Sequence, residues 1–215
     1  MKKSFAVVGL GRFGKSIALT LMESGAEVLA IDNDPERVKR ISSAVTCALN
    51  IDACDTDALR SAGIENMDGV IVAMGHNLEA GAMTIITARE LGVPYILAKS
   101  NSDEMTKILL RIGADRVVYP EKDAGAAIAK QILCKDLLEY FEIADNVNLA
   151  EINVRPEWVG KTICNLDLRK KYKMNVILIK NGKDVINEIH PDLVLKQGDK
   201  LIVTLSDEGF KRIMQ

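Results

Sequence analysis

From residue 4 to about residue 119 the chain alternates short apolar runs with amphipathic stretches, the pattern of strand-helix units that build a parallel sheet. Six runs read as strands: SFAVVG (4–9), EVLAID (27–32), VTCALN (45–50), GVIVAM (69–74), YILAKS (95–100) and DRVVYP (115–120). Between the fourth and fifth, Leu78, Ala82, Ile85 and Ile86 fall on one helical stripe with Gly92 just past its end, which predicts a helix lying over the sheet. After Tyr119, Asp123 stands where it can cap a further helix, whose apolar positions run on through Leu133, Leu137 and Leu138. From about Val147 the period shortens to two: Ala150, Ile152 and Val154 alternate, Asn181-Gly182 marks a hairpin, and Leu201, Val203 and Leu205 alternate after Gly198-Asp199. These rhythms divide the chain into an α/β domain over residues 1–122, a helical segment over 123–142 and a small strand-rich α+β domain over 143–215. The middle segment is too apolar for a simple linker and is expected to pack between domains or between subunits.

Composition narrows the class. At 215 residues, 48% hydrophobic and 27% charged, the chain can bury a proper core in one large or two small domains. A formal net charge of -2 and a pI near 5.8 supply no broad cationic field, so nucleic acid is not the expected partner. No run approaches the roughly 20 apolar residues that span a bilayer. The opening MKKSFAVVGLG flows into a glycine motif with no cleavable small-residue site and reads as the first strand rather than a leader. Cys47, Cys54, Cys134 and Cys164 form no Cys-x-x-Cys pair, which argues against a zinc ribbon or a disulfide framework and for reduced core thiols in a cytoplasm.

The sharpest chemical signal is Gly9-x-Gly11-x-x-Gly14, placed after a strand and opening a helix. There the first glycine permits a tight turn, the second admits a pyrophosphate close to backbone and the third lets helix meet sheet, giving a Rossmann-like, doubly wound fold. Exposed N–H groups at such a helix start attract phosphate. Asp32 ends the second strand near the spacing of about 20 residues expected for a carboxylate on the ribose hydroxyls, and would repel a 2′-phosphate. The plainer reading leaves the site empty and makes Asp32 a turn cap. Arg12 lies in the first helical turn, where its guanidinium can grip phosphate oxygens in bidentate fashion. An extra cation there tilts the site from NAD toward the longer, more anionic ATP or ADP; a solvated arginine is the bland reading.

Together GLGRFG, IDND, IDACDTD, VAMGHN and RIGADRVVYPEKDAG, followed by the strand-rich module, resemble the RCK (regulator of K+ conductance) family. More narrowly they are similar to its KtrA/TrkA-like cytoplasmic gating subunits of Ktr/Trk potassium uptake systems, over essentially the whole chain. The resemblance implies an N-terminal nucleotide domain, a crossover helix that builds a homodimer, and an RCK C-terminal (TrkA_C) domain. Such dimers would assemble into a ring, an octamer by resemblance, on the inner face of the cell membrane beneath a K+-translocating subunit of KtrB/TrkH type. It places the adenosine and phosphates at Gly9, Leu10, Gly11, Phe13, Gly14, Asp32 and Asn33, and the adenine beside Asp52, Ala53, Ala73, Met74 and Gly75. Arg12 would reach the terminal phosphate. Lys99, at a strand end where ligands gather in such sheets, offers a second cation or an ordinary snorkelling lysine. Glu121 matches an acidic residue that helps bind a cation near the phosphates, for which oxygen ligands suit Mg2+, Ca2+ or Na+; by itself it merely favours a helix dipole. Cyclic di-AMP is implied at Ile163, Arg169, Asn175, His190 and Pro191, which also read as core, wet helix face, turn and rigid loop.

The resulting expectation is a sensor and gate rather than a catalyst, with ATP and ADP favouring different states. Its competitor is a small NAD(H)-dependent dehydrogenase, which needs a proton donor. His76 and His190 are the candidates, and neither carries an evident orienting carboxylate or nucleophile motif. A redox-sensing repressor would bring a basic winged-helix segment, for which the sequence offers no candidate.

Overall fold

The computed structural model describes residues 2–214. The chain divides into two compact units, Met1–Lys122 and Asp123–Gln215. In the first, β1 (Ser4–Val8), α1 (Arg12–Glu23), β2 (Glu27–Asp32), α2 (Pro35–Ile41), β3 (Cys47–Asn50) and α3 (Thr56–Ser61) are followed by β4 (Gly69–Val72), α4 (Leu78–Glu90), β5 (Ile96–Lys99), α5 (Asp103–Arg111) and β6 (Arg116–Val118). The strands pair in parallel in the order β3-β2-β1-β4-β5-β6, the doubly wound arrangement expected from the sequence. All six predicted strands are present, trimmed at their ends.

Alternation along the pleat sends neighbouring side chains to opposite faces. Ala6, Val8, Leu29, Ile31, Val70 and Val72 pack with Leu59, Ile85, Ala88 and Leu109 in one layer, while Val7, Val28, Ala30 and Ile71 pack with Ala18 and Ile41 in the other. Helix α4 covers the sheet, but on a stripe rotated from the expected one: Ala80, Thr84, Ile85 and Ala88 are buried, whereas Leu78 and Ile86 are exposed. The inner face mixes small residues with the fully buried Ile85, and an added Cβ at Gly81 would make an ordinary contact with Val72 Cγ1 at 3.8 Å.

The segment 123–142 departs from expectation at both ends. Helix α6 (Pro120–Leu133) starts before Asp123, since a proline, with its fixed φ and no N–H to satisfy, suits the first helical turn. It stops at Leu133. The Leu137 N–H then bonds to the Cys134 carbonyl at 3.0 Å, and β7 (Leu137–Ala144) begins, with Leu137 and Tyr140 turned into the core of the second unit. Aromatic and β-branched residues in LLEYFEIA favour a pleat over a further helical turn.

The second unit continues with β8 (Val147–Asn153), α7 (Ile163–Leu166), α8 (Leu168–Tyr172), β9 (Met174–Asn181), β10 (Asp184–Ile186), β11 (Lys200–Leu205) and α9 (Asp207–Ile213). Its sheet is antiparallel in the order β10-β9-β11-β8-β7. Ala150, Ile152, Leu201, Val203 and Leu205 face a core shared with Trp158 and Leu195. The expected hairpin follows Asn181, with Gly182 at φ +58. Arg155 closes this core by bonding Asp136 Oδ2 at 2.8 Å and the Ile213 carbonyl, its guanidinium 5.4 Å from the Trp158 ring centre. All four cysteines are free, yet only Cys134 is buried, so the expected core thiols reduce to one.

One ionic knot fixes the far end of the parallel sheet. Arg89, near the end of α4, donates to the Gly113 carbonyl at 2.6 Å and meets Asp115 Oδ1 at 2.5 Å, while Asp115 Oδ2 accepts the Ile96 N–H at 2.7 Å. Burial pushes the Asp115 carboxyl up, but the Ile96 N–H and the Arg89 guanidinium outweigh it and hold it below the ordinary range. A carboxylate with a depressed folded-state pKa stabilises above its unfolded pKa and loses that contribution as pH falls through the folded value. Urea midpoints of wild type and Asp115→Asn are therefore expected to differ at neutral pH and to converge below about pH 4; a gap that persists undiminished in acid would remove the carboxylate from this account.

Candidate functional site

The carboxyl ends of β1 to β5, with Glu121 from the first turn of α6, border one cavity of about 680 Å3 in the first unit, beside the β1/β4 junction where strand order reverses. Of the residues expected there, Gly9, Gly11, Arg12, Phe13, Asp32, Asn33, Asp52, Ala53, Ala73, Met74, Gly75, Lys99 and Glu121 line it. Leu10 and Gly14 do not. The Leu10 side chain is buried in a core layer, and its contribution is a backbone N–H.

The three glycines differ in what they do. Gly9 has φ +96, and an added Cβ would come within 2.8 Å of Met74 Cγ. At Gly14 a Cβ would sit 1.9 Å from the Gly9 carbonyl oxygen, so its bareness lets α1 touch the β1 turn. At Gly11 a Cβ meets nothing within 4 Å, and its φ of -63 suits any residue. Neither space nor backbone angle requires a glycine at 11, where it serves as the N-cap of α1 and leaves the backbone bare toward the cavity.

The start of α1 reinforces the point. Helices α2, α3, α4 and α5 are capped by the side chains of Asp34, Asp55, Asn77 and Ser102, and each has acid in its first turn. Helix α1 has neither a side-chain cap nor a first-turn acid. Its orphan N–H groups and positive dipole end are left for an anion in the cavity.

At the opposite end, Asp32 is 5% exposed. Its Oδ2 accepts the Leu10 N–H at 2.6 Å and Oδ1 accepts the Asp34 N–H at 2.9 Å. The Arg37 guanidinium stands 3.4 Å from Oδ2 and 3.3 Å from Asp34 Oδ2. A carboxylate has about four acceptor sites, so Oδ1, with one donor, retains capacity for a ribose hydroxyl. Asp52 Oδ1 accepts the Cys54 N–H at 3.0 Å and orders the turn that brings Ala53 to the cavity. Sequence reading missed Val8, Arg37, Ile51, Asn77 and Ala80 among the lining residues; the signal for Arg37, the one cation of these, was its place in the first turn after Asp34-Pro35, close behind the strand-end acid.

The cations of the cavity are unequal. Arg37 is paired with two aspartates, and Lys99 Nζ lies 2.5 Å from Glu121 Oε1. Arg12 is exposed, and among the described residues no hydrogen bond or ion pair engages it. Glu121 is held below the ordinary carboxylate range by the hydrogen bond from Lys99 and by its own backbone N–H. Among the described residues no group of three His, Cys, Asp or Glu side chains is placed to hold a metal ion, and the Glu121 carboxylate engages Lys99. His76 lines the cavity with its Nδ1 3.4 Å from Asn101 Nδ2 and no carboxylate to orient it; His190 belongs to the second unit.

In that second unit the five expected residues fall into two groups. Arg169 and Asn175 line a cavity of about 390 Å3 with Lys173 and Thr204. Ile163, His190 and Pro191 lie elsewhere, where the Cys164 N–H bonds to the Pro191 carbonyl at 2.9 Å and the Ile163 N–H to the Leu193 carbonyl at 3.0 Å. Asn175, read as a turn residue on the plainer view, is in β9.

Fold and site define a Rossmann-type domain with an anion-ready helix start, followed by a small antiparallel module. Residues 5–120 match the TrkA-N domain and residues 149–215 the TrkA-C domain. The chain is 41% identical over 203 residues to Ktr system potassium uptake protein C of Bacillus subtilis (strain 168), covering 94% of this chain and 92% of that one. It is 36% identical over 210 residues to Ktr system potassium uptake protein A of the same organism, covering 98% and 95%. Its fold superposes on the GsuK channel with a TM-score of 0.68 at 15% identity, over 99% of this chain and 39% of the channel chain. The chain belongs to the RCK family, in the TrkA-N plus TrkA-C arrangement of the Ktr potassium uptake proteins. Among the described residues no helix is long and apolar enough to cross a membrane.

The glycine geometry separates fold from ligand. Gly14→Ala is expected to cost about 1–3 kcal/mol or more of stability in urea unfolding, whereas Gly11→Ala, which changes only an N-cap preference, should cost less than about 1 kcal/mol while weakening nucleotide binding in calorimetry. Equal unfolding costs at the two positions would contradict the division.

Proposed function

We propose that this protein is the nucleotide-sensing regulatory subunit of a Ktr/Trk-type potassium uptake system, a cytoplasmic gate that acts on a membrane K+-translocating partner without catalysing a reaction. The observation that carries this reading is the unpaired Arg12 at the uncapped start of α1, in a cavity whose other two cations are neutralised. An adenine nucleotide would place its ribose on Asp32 and its phosphates at the α1 start. ATP carries a terminal phosphate that ADP and NAD(H) lack, and Arg12 is the group free to take it.

That difference in contact is the lever of the mechanism. A ligand shifts an equilibrium between two states only by its difference in affinity for them, typically about 1–3 kcal/mol per site. Identical subunits joined in a ring sum that bias. Helix α6 supplies a surface for joining them: none of its residues is buried within the chain, and Ile128, Ile132 and Leu133 are 54%, 76% and 65% exposed. Such an apolar stripe on a helix calls for a matching helix from a second copy. A cation at Glu121 would need its remaining ligands from phosphate oxygens or a second subunit, and no step here depends on it. The cavity at Arg169, Lys173 and Asn175 supports a second, regulatory anion site of the kind a cyclic dinucleotide such as cyclic di-AMP would fill between two C-terminal units.

Calorimetry on the purified protein tests the main reading. Arg12→Ala is expected to lower ATP affinity about 10- to 100-fold, the worth of a charge-assisted hydrogen bond, while leaving ADP affinity and thermal stability close to wild type. An unchanged ATP-to-ADP ratio removes Arg12 from its role, and hydride transfer from NADH would overturn the non-catalytic reading. Ile132→Glu is expected to halve the assembly mass in light scattering; retention of the wild-type mass would take α6 out of the interface.

A further inference from the structure

The pairing of Lys99 with Glu121 carries an inference of its own. Lys99 ends β5, and its stem lies over Gly75, where an added Cβ would stand 3.3 Å from Lys99 Cε and 3.4 Å from Cδ. Its ammonium sits 5.6 Å from the centre of the Phe13 ring and 2.5 Å from Glu121 Oε1. The two partners are held very differently: the Lys99 side chain is 12% exposed, that of Glu121 62%. The cation is fixed by packing against the cavity wall. The carboxylate reaches it from the solvent side, out of the first turn of α6, and can swing away without opening a hole. A desolvated ammonium needs an anion, and among the described residues Glu121 is the one it has.

We propose that Glu121 is an internal counter-anion, a specificity-determining residue that occupies the seat of a ligand phosphate on Lys99 and must be displaced before that phosphate binds. The inference rests on the reading of the cavity as an adenine-nucleotide site. Its chemistry is an exchange of one anion for another at a fixed cation. Because a singly charged carboxylate is replaced by a polyphosphate, the gain rises with ligand charge, so the longer nucleotide makes the exchange more completely than the shorter. Glu121 thereby sets a threshold that a weak anion does not cross. Its departure also unties β5 from the first turn of α6, the turn in which the first unit ends at Lys122. The Lys122–Asp103 pair at 2.6 Å, both side chains more than half exposed, remains as a surface tether for that turn.

The test is ATP and ADP calorimetry on the full chain in buffer with a chelator, which removes divalent cations and any ligand role of Glu121 toward them. Glu121→Gln is expected to bind ATP about three- to fivefold tighter, the scale of releasing a partly exposed ion pair. Lys99→Gln should bind it more weakly, and the double variant should match Lys99→Gln alone. If Lys99→Gln melts below the assay temperature, Lys99→Met, which keeps the packed stem, takes its place. Unchanged or weaker ATP binding by Glu121→Gln, or an equal gain without Lys99, would overturn the counter-anion while leaving the nucleotide site in place. Absence of ATP and ADP binding by the wild-type protein would overturn the site and this inference with it.

Discussion

Everything in the first unit depends on how closely α1 approaches the turn after β1. An added Cβ at Gly14 would overlap the Gly9 carbonyl oxygen, so the helix can start there only because residue 14 has no side chain. That contact aims the α1 start into the space above the strand ends. The same turn is pinned from two other directions, by the Gly9 N–H on the Ile31 carbonyl at 2.8 Å and by the Leu10 N–H on Asp32. The buried acid thus does two jobs: it holds the loop that carries the backbone N–H groups at the α1 start, and its Oδ1, with one donor, keeps acceptor capacity. Loss of the acid would loosen the donors as well, which couples the two ends of the cleft through one side chain.

Around this frame the cationic side chains are unequally matched. Three cationic side chains reach the cavity, and two are already matched by carboxylates of the same unit. The proposed gating rests on that inequality, since a ligand shifts an equilibrium only by its difference in affinity for the two states. His76 lines the same cleft, its Nδ1 3.4 Å from Asn101 Nδ2.

Much of this was legible before any coordinates. The parallel sheet follows from runs such as Val7-Val8 and Ala30-Ile31, where both faces must be apolar because helices cover both. The cleft follows from Gly9, Gly11, Gly14 and Asp32, since strand-end positions in such a sheet share one edge. What failed were local boundaries and pairings. The α6 pattern ran on into Leu137 and Leu138 because a short apolar run fits a helix and a strand equally well, and only the tertiary core of the second unit decides between them. The α4 stripe was misplaced because small and polar residues such as Ala80, Thr84 and Ala88 take much of the inner face, and a count of large apolar residues does not rank them. Arg37 on Asp32, and Lys99 on Glu121, are contacts between elements that sequence spacing does not connect. Each partner of the second pair was marked as a site residue, but their mutual engagement needed the fold.

Helix α6 has 14 residues and no buried face of its own. Peptide helices of about 12–15 residues are marginal in water, so this one borrows its order from whatever covers it. Were a second copy to cover it, folding of the segment and association would be one equilibrium, and its thermal resistance would rise with protein concentration, as mass action requires. Dilution would then cost this segment its order first.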